Sequence, residues 1–137
     1  MTRPPASLEL TPFVQQWAVL LTSHKKDGSG VGTPVNIAVE GDRAYFRTPG
    51  RAWKVRRIRN DPGVELAPAT PAGRQVGPEI PARARLLPHG SAADRHAAAL
   101  LRRKYPVVQG VLVPLAHKAM RTRTLHYEVR PTRDEER

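Results

Sequence analysis

The chain contains no cysteine. A disulfide framework, a thiolate zinc site, an iron–sulfur cluster and a cysteine nucleophile all require that residue, so the sequence excludes them together. Aromatic residues are also scarce, at 5% of the chain, and none forms the paired aromatic motif with which RNA-binding sheets stack bases. These absences leave charge as the first feature that a functional interpretation must explain.

Long apolar runs are missing as well. No segment approaches the roughly 18 uninterrupted apolar residues of a membrane span. The first residues, Met1 to Ala6, lack the apolar core of a signal peptide. We therefore expect a soluble, cytoplasmic protein with no membrane partner. At 137 residues the chain fits one domain, because domains contain roughly 100 to 200 residues.

Acidic residues are few relative to basic ones. Lys and Arg total 23 against 12 Asp and Glu, which gives a net charge of +11. Such a field favours anionic partners: nucleic acid, acidic lipid, or a phosphorylated or carboxylated small molecule. In the densest basic run, Arg51 to Arg59, Lys54 and Arg57 are three residues apart and share one helix face. A solvated helix face is the simplest interpretation, but the preceding strand and Pro-Gly turn favour a phosphate site.

The pattern of apolar residues predicts a mainly β, antiparallel protein with short helices. The predicted strands are 17–24, 31–39, 43–48, 64–67, 82–87 and 122–130, and the predicted helices are 51–59 and 91–105, with a second short helix or an irregular cover over 107–120. Parallel strands need crossovers of about a dozen residues, so the tight turns favour a small closed antiparallel barrel. Pro34 lacks the N–H donor of a strand ladder and indicates an edge, a bulge or an interface. Ser91 and Asp94 resemble a capping box at the start of the second helix.

Several common site motifs are absent from the sequence. Gly28 to Gly32 is glycine-rich, but β-prone sequence follows it, whereas a dinucleotide-binding loop opens a helix, so a hairpin turn is the better interpretation. The five histidines lack a paired metal spacing and are interpreted as surface or partly buried side chains, and no metal is expected. The sequence has no Gly-x-Ser-x-Gly nucleophile elbow and no helix-turn-helix pattern. Nucleic acid is therefore the less favoured anionic partner.

Four segments of the sequence form a recognisable pattern: Thr33 to Asn36, Phe46 to Thr48, Lys54 to Pro62 and Val64 to Leu66. Together they resemble the split β-barrel flavoproteins related to pyridoxamine 5′-phosphate oxidase. The most specific element is Thr48 followed six residues later by Lys54. More narrowly, the chain resembles the actinobacterial class of F420-dependent enzymes in that family. The resemblance implies an FMN-binding split β-barrel, a six-stranded antiparallel barrel over residues 13–130, between an N-terminal segment (1–12) and a charged tail (131–137).

The resemblance also implies a homodimer in which each cofactor lies in a groove at the subunit interface. The implied cofactor-binding residues are Thr33, Pro34, Val35 and Asn36 along the isoalloxazine or deazaflavin ring and its linker, Thr48, Trp53, Lys54 and Arg57 at the phosphate, Pro68, Ala69 and Thr70 at the tail, and Arg47 without an assigned position. No catalytic residue is implied. The vitamin B6 oxidases place a Trp near their C-terminus, and the closing strand lacks one, so oxidation of pyridoxamine phosphate is not expected.

Charge and resemblance together predict an F420-dependent oxidoreductase that acts on an unknown small organic substrate. F420 carries a phosphate and a lactyl-oligoglutamate tail, so it is longer and more negative than FMN and suits the basic run better. The ring performs hydride transfer while the protein positions it, so no dedicated acid or base is required. An FMN-dependent oxidoreductase and a non-catalytic F420- or FMN-binding protein remain alternatives, and a basic nucleic-acid-binding module is less favoured.

Overall fold

The computed structural model describes residues 6–106, 113–119 and 122–132. The strands are β1 (Ala18–His24), β2 (Gly30–Val35), β3 (Ile37–Glu40), β4 (Arg43–Pro49), β5 (Gly63–Ala69), β6 (Ile80–Leu86) and β7 (Thr124–Pro131). The helices are α1 (Trp53–Asn60), α2 (Ala92–Lys104) and α3 (Val113–Ala119), with a 3-10 turn at Thr11–Phe13. The predicted cover over 107–120 is helical at 113–119, and its other residues lie outside the described ranges. None of the described helices combines the length and apolar content needed to cross a membrane.

The seven strands of the described residues form one antiparallel sheet in the order β2-β1-β5-β6-β7-β4-β3. β2 and β3 lie at the two edges of the sheet, although Asn36 alone separates them along the chain. One residue spans at most about 3.6 Å, so the two edges approach each other here and the sheet curls into a half-barrel. The prediction of a mainly β, antiparallel fold with short helices is confirmed. The prediction of a closed, six-stranded barrel is wrong, because the sheet has seven strands and forms a half-barrel.

The additional strand arises because the run predicted as one strand over 31–39 is divided at Asn36. Its first half pairs with β1 and its second half pairs with β4. Asn36 Nδ2 donates to the Trp17 carbonyl at 2.9 Å, which fixes the chain where it changes partner. β-Prone residues continue on both sides of Asn36, so the residue pattern alone does not reveal the break. Pro34 is exposed in β2, an edge strand, as its missing N–H predicts.

Two apolar cores lie on the two faces of the sheet. The inner core fills the half-barrel and includes Phe46 and Tyr127, whose stacked ring centroids are 5.0 Å apart, together with Ile58 of α1. The outer core, between α2 and the sheet, consists of Ala38, Tyr45, Leu87, Ala97, Leu100, Leu101 and Tyr105. The predicted cap of α2 is confirmed, because Ser91 Oγ accepts a hydrogen bond from the Asp94 N–H at 3.1 Å.

The C-terminal end of α2 is attached to the break between β2 and β3. The Tyr105 hydroxyl lies 2.9 Å from the Trp17 carbonyl and 3.2 Å from the Ile37 carbonyl. Lys104 Nζ donates to the Ile37 carbonyl at 2.7 Å, and burial lowers the pKa of this amine to about 8. The Lys104 and Tyr105 side chains therefore hold the backbone of Ile37, which follows Asn36, and of Trp17, whose carbonyl also accepts from Asn36.

Candidate functional site

Helix α1 carries the basic run and follows β4 after a short turn. Its apolar face is buried at Ile58, as the three-residue spacing predicts. On another face, Arg57 Nε donates to Ser23 Oγ of β1 at 2.6 Å. Trp53 is 69% exposed, and the Arg56 guanidinium lies over its ring at 5.1 Å from the centroid. Arg57 thus attaches α1 to β1, while Trp53 and Arg56 face solvent.

Lys54 lies on α1 one turn before Arg57 and is partly buried. Burial, and then the charge of Arg57, lower the pKa of its ammonium to about 8. Within the described part of the chain, neither an ion pair nor a hydrogen bond satisfies Nζ. A desolvated cation without a counter-ion is costly. An anion that reached Nζ would therefore gain a charge-assisted hydrogen bond and relieve that cost.

A basic groove separates α1 from the turn between β1 and β2. It has a volume of about 580 Å³ and is lined by His24, Lys25, Lys26, Val31, Trp53, Arg56, Arg57 and Asn60. None of these lining residues is acidic, and His24 Nε2 is already bonded to Glu65 at 2.7 Å. The groove therefore extends the positive field of Lys54 and Arg57 towards the hairpin. Lys25 and Lys26 were not among the predicted site residues.

The break at Asn36 opens the barrel between β2 and β4. If the β3–β4 register continued past Asn36, Val35 would lie opposite Thr48. Val35 instead pairs with Val19 of β1. On the β2 side of Asn36 the chain therefore no longer pairs with β4. The predicted residues Thr33 to Asn36 lie on one side of this opening. The predicted residue Thr48 and the start of α1 lie on the other.

The structure brings residues 68–70 close to the predicted residues of β2. Val19 pairs with Val35 on one side and with Pro68 on the other, so β2 and β5 flank the same strand. The loop after β5 returns over β2, because a Cβ added at Gly73 would lie 3.3 Å from the Pro34 ring. Gly73 has a φ of +95°, a conformation that favours glycine. The residues predicted for the ring and for the tail therefore form one neighbourhood around β1.

Thr33 supplies a hydroxyl that the described residues do not satisfy. Its Oγ1 is buried and lacks a hydrogen-bond partner among them. Buried polar atoms are nearly always paired in native proteins, so a ligand that reached this hydroxyl would satisfy it. Thr33 lies beside the opening at Asn36, where the family resemblance places the cofactor ring.

Replacing Thr33 with valine should stabilise the free chain and weaken cofactor binding. Valine removes a desolvated hydroxyl with almost no change in volume, so we expect the free energy of unfolding to rise by about 1 kcal/mol. Urea denaturation and spectral titration measure the two effects. The control is Thr11→Val, whose lost hydroxyl donates to the Ser7 carbonyl at 2.9 Å, and this variant should gain no stability. A less stable Thr33→Val chain would contradict the prediction.

Arg47 and Thr48 are neighbours in sequence, but they face opposite sides of β4. Thr48 is 1% exposed within the half-barrel, and its hydroxyl donates to the Pro49 carbonyl at 3.4 Å. Arg47 lies on the outer face, where its Nε donates to His126 Nε2 at 2.9 Å. The structure therefore groups Trp53, Lys54 and Arg57 on α1 but directs Arg47 away from them. The role of Arg47 as a cofactor contact stays a prediction.

Arg47 belongs to a buried polar chain that the sequence analysis missed. His126 Nδ1 bonds to Asp94 Oδ1 of α2 at 2.8 Å. Since an Arg N–H can only donate, His126 Nε2 accepts and Nδ1 carries the proton, which makes the imidazole neutral. Burial is the main cause that lowers the pKa of His126, although the hydrogen bond to Asp94 opposes it. The expectation of surface or partly buried histidines is wrong for His126, which is buried on β7 against α2, and for His117, which is buried on α3.

The buried His126 should make the chain less stable in acid. The pKa of His126 is lowered on folding, so the unfolded chain takes up a proton that the folded chain does not, and stability decreases as the pH falls through about 6.5. His117, whose pKa burial also lowers, acts in the same direction. Urea denaturation between about pH 7.5 and 5.5 measures the slope. It should be shallower in His126→Gln and unchanged in His89→Gln, an exposed position. Equal slopes in all three proteins would contradict this account.

Solved structures with the same arrangement of strands and helices include proteins of different activity. HutZ, a haem storage protein from Vibrio cholerae, has a TM-score of 0.69 at 12% identity, over 91% of this chain and 89% of its own. A candidate pyridoxamine 5′-phosphate oxidase from Listeria innocua has a TM-score of 0.61 at 14% identity, over 90% of each chain. An F420 reductase has a TM-score of 0.58 at 16% identity, over 94% of this chain and 97% of its own.

The chain has the fold of the pyridoxamine 5′-phosphate oxidase-like proteins. At these identities the comparison shows the fold alone, and the actinobacterial F420 class is a finer assignment than it supports. No protein-family model matches the sequence, and no curated protein matches it either. The activity must therefore be argued from the residues of this chain.

Proposed function

We propose that the protein is an F420-dependent oxidoreductase that transfers a hydride between the deazaflavin and a small organic substrate. The observation that carries this proposal is Lys54, a partly buried ammonium one turn from Arg57 that has no counter-ion among the described residues. A cofactor phosphate is an anion that satisfies such a site. The occurrence of an F420 reductase with this fold supports the assignment.

The residues present fit the proposed cofactor at two points. Lys54 and Arg57 would hold its phosphate, and Ser23 would keep Arg57 in place through the 2.6 Å hydrogen bond. The orphaned hydroxyl of Thr33 would contact the ring or its linker. When bound, the ring would supply the hydride chemistry, and these residues would hold and orient it.

The basic groove favours F420 over FMN. FMN ends at one phosphate, for which Lys54 and Arg57 suffice. F420 continues into an acidic tail, for which Lys25, Lys26 and Arg56 offer further cations along the groove. FMN and a purely cofactor-storing role remain the alternatives to be tested.

The homodimer is also part of the proposal. Trp17 is half exposed beside Asn36, and its ring packs edge to face on Tyr105 at 5.0 Å between centroids. A second copy that covered Trp17 would bury this exposed ring beside Asn36. Light scattering should give a mass of twice 15.2 kDa, and a mass of 15.2 kDa with cofactor bound would contradict a dimeric site.

Spectral titration with F420 and FMN tests the proposal. We expect F420 to bind more tightly, with a dissociation constant below about 100 μM. If neither cofactor binds in that range, a cofactor-dependent enzyme is the wrong assignment. Turnover of reduced F420 with candidate acceptors then separates an enzyme from a storage protein. Oligonucleotide binding that persists at physiological salt and resists competition by F420 would favour a nucleic-acid-binding module instead.

Cofactor affinity should fall as the pH rises above about 8. The free protein loses the Lys54 proton with a pKa of about 8, whereas a bound phosphate raises that pKa and retains the proton. Affinity therefore decreases with pH between the two values, by at most about tenfold per pH unit. Lys54→Arg keeps its charge throughout and should show a flat profile in titrations from about pH 7 to 9.5. An identical slope in Lys54→Arg would assign the titration to another group.

A further inference from the structure

A second cluster of arginines lies on the outer face of the sheet. In the β6–β7 register, Arg83 lies directly opposite Arg130, and Arg85 lies directly opposite Glu128. Residues two apart on a strand project from the same face, so all four side chains share one surface. They line a cavity of about 790 Å³, which has no lining residue in common with the groove beside α1.

Glu128 organises this cluster. Its carboxylate is 4% exposed and lies 3.0 Å from Arg130 Nε, 3.3 Å from Arg43 Nη1 and 3.6 Å from Arg85 Nη2. One carboxylate thus holds guanidinium groups from three strands. Each guanidinium has five N–H donors, and the contacts with Glu128 use only part of this set. Asp42, which also lines the cavity, accepts from Arg43 Nε at 3.2 Å, and the donors that neither carboxylate uses are available to a ligand.

Arg83 leaves the cluster with an uncompensated charge. It lies directly opposite Arg130, and like charges in such a cross-strand pair are destabilising. In the described ranges, no carboxylate is within ion-pair distance of Arg83. An anion that bridged Arg83 and Arg130 would remove this repulsion.

We propose that the four arginines, Arg43, Arg83, Arg85 and Arg130, form a second anion site that binds a compact oxyanion of the pyrophosphate class. Guanidinium groups bind phosphoryl oxygens through paired N–H donors, which a point charge does not provide. Three of these arginines face the cavity from two strands about 4.8 Å apart. Two linked phosphoryl groups would therefore contact more donors than orthophosphate would. The site is independent of the cofactor proposal, since it requires neither Lys54 nor the groove beside α1.

Isothermal titration of the full-length chain with pyrophosphate and with orthophosphate, at about 150 mM salt, tests this site. We expect pyrophosphate to bind at least about tenfold more tightly than orthophosphate, and Arg83→Gln/Arg130→Gln to lower its affinity by at least about tenfold. Arg102→Gln/Arg103→Gln removes the same charge from exposed positions of α2 and should change the affinity by less than about twofold. Lys54→Ala removes the phosphate site proposed beside α1, so the pyrophosphate binding that remains in this variant is assigned to the arginine cluster.

Several outcomes would overturn the proposal. The first is the absence of pyrophosphate binding up to about 1 mM. An equal loss in the two double variants would indicate diffuse charge, and a loss only in Lys54→Ala would locate the anion at α1. Affinity that rises steadily with oligonucleotide length would indicate a polyanion surface. Side-chain Nε–H signals of Arg83 and Arg130, followed by NMR in the unaltered protein, should shift on binding and do not depend on the folding of a variant.

Discussion

Replacing Lys54 with alanine should weaken F420 binding by about 1.5–3 kcal/mol, a roughly 10- to 150-fold rise in the dissociation constant. This is the range for one charge-assisted hydrogen bond in a partly buried site. The substitution removes the partly buried ammonium whose pKa is lowered to about 8 and leaves the Arg57–Ser23 bond intact. Spectral titration at about pH 7, where Lys54 is protonated, measures the change.

Two controls make this result specific. Lys118→Ala removes an exposed lysine of α3 and should leave the dissociation constant unchanged. Urea denaturation of Lys54→Ala should show no loss of stability, because the variant no longer buries an uncompensated charge. Unchanged cofactor affinity in a stable Lys54→Ala chain would remove Lys54 from the site. The phosphate would then need another set of ligands.

Replacing Tyr105 with alanine should lower the free energy of unfolding by about 3–5 kcal/mol, the usual cost of removing a buried aromatic ring. The ring is 2% exposed in the outer core, and its hydroxyl lies within hydrogen-bond distance of the Trp17 and Ile37 carbonyls beside Asn36. The substitution therefore creates a cavity and leaves buried carbonyls with fewer donors. Urea denaturation followed by circular dichroism measures the loss.

Trp53→Ala is the matched control, because it removes a large ring that is mostly exposed. Its effect on stability should be within about 0.5 kcal/mol, as for other surface positions. Tyr105→Phe keeps the ring and removes only the hydroxyl, so an intermediate cost of about 1–2 kcal/mol is expected. If Tyr105→Ala lowered the free energy of unfolding no more than Trp53→Ala does, the attachment of α2 to the break at Asn36 would contribute nothing to stability.

Local patterns in the sequence predict most of the elements of this fold. The spacing of Ala52, Val55 and Ile58 identifies α1, and Ser91 identifies the start of α2, because these signals depend on residues within one or two turns. The number of strands is predicted wrongly because β-prone sequence continues across Asn36, where one strand ends and the next begins. What changes there is the pairing partner, and pairing is a long-range property that the residue pattern does not encode.

The candidate site also has features that local sequence predicts and features that it does not. Lys54 and Arg57 share a face because they are three apart on a helix, so the sequence is sufficient to group them. The side chain that holds Arg57 in place is Ser23 on β1. Its only signal in the sequence is that a small polar residue stands where the alternation of the strand predicts an inward, apolar side chain. The opposite directions of Arg47 and Thr48 follow from the two-residue period of a strand. The partner of Arg47, His126, lies on a distant strand, and no local rule connects the two residues.

The single-residue link at Asn36 also determines the order in which the chain can assemble. The β1–β2 and β3–β4 pairs are local and can form early, one on each side of the link. The β4–β7 pairing joins residues as distant as Ala44 and Val129, so it must wait for nearly the whole chain. Folds dominated by such distant pairings fold slowly, in milliseconds to seconds. The opening beside Asn36 is therefore bordered by two hairpins with local contacts, whereas the sheet is completed by the most distant pairing, between β4 and β7.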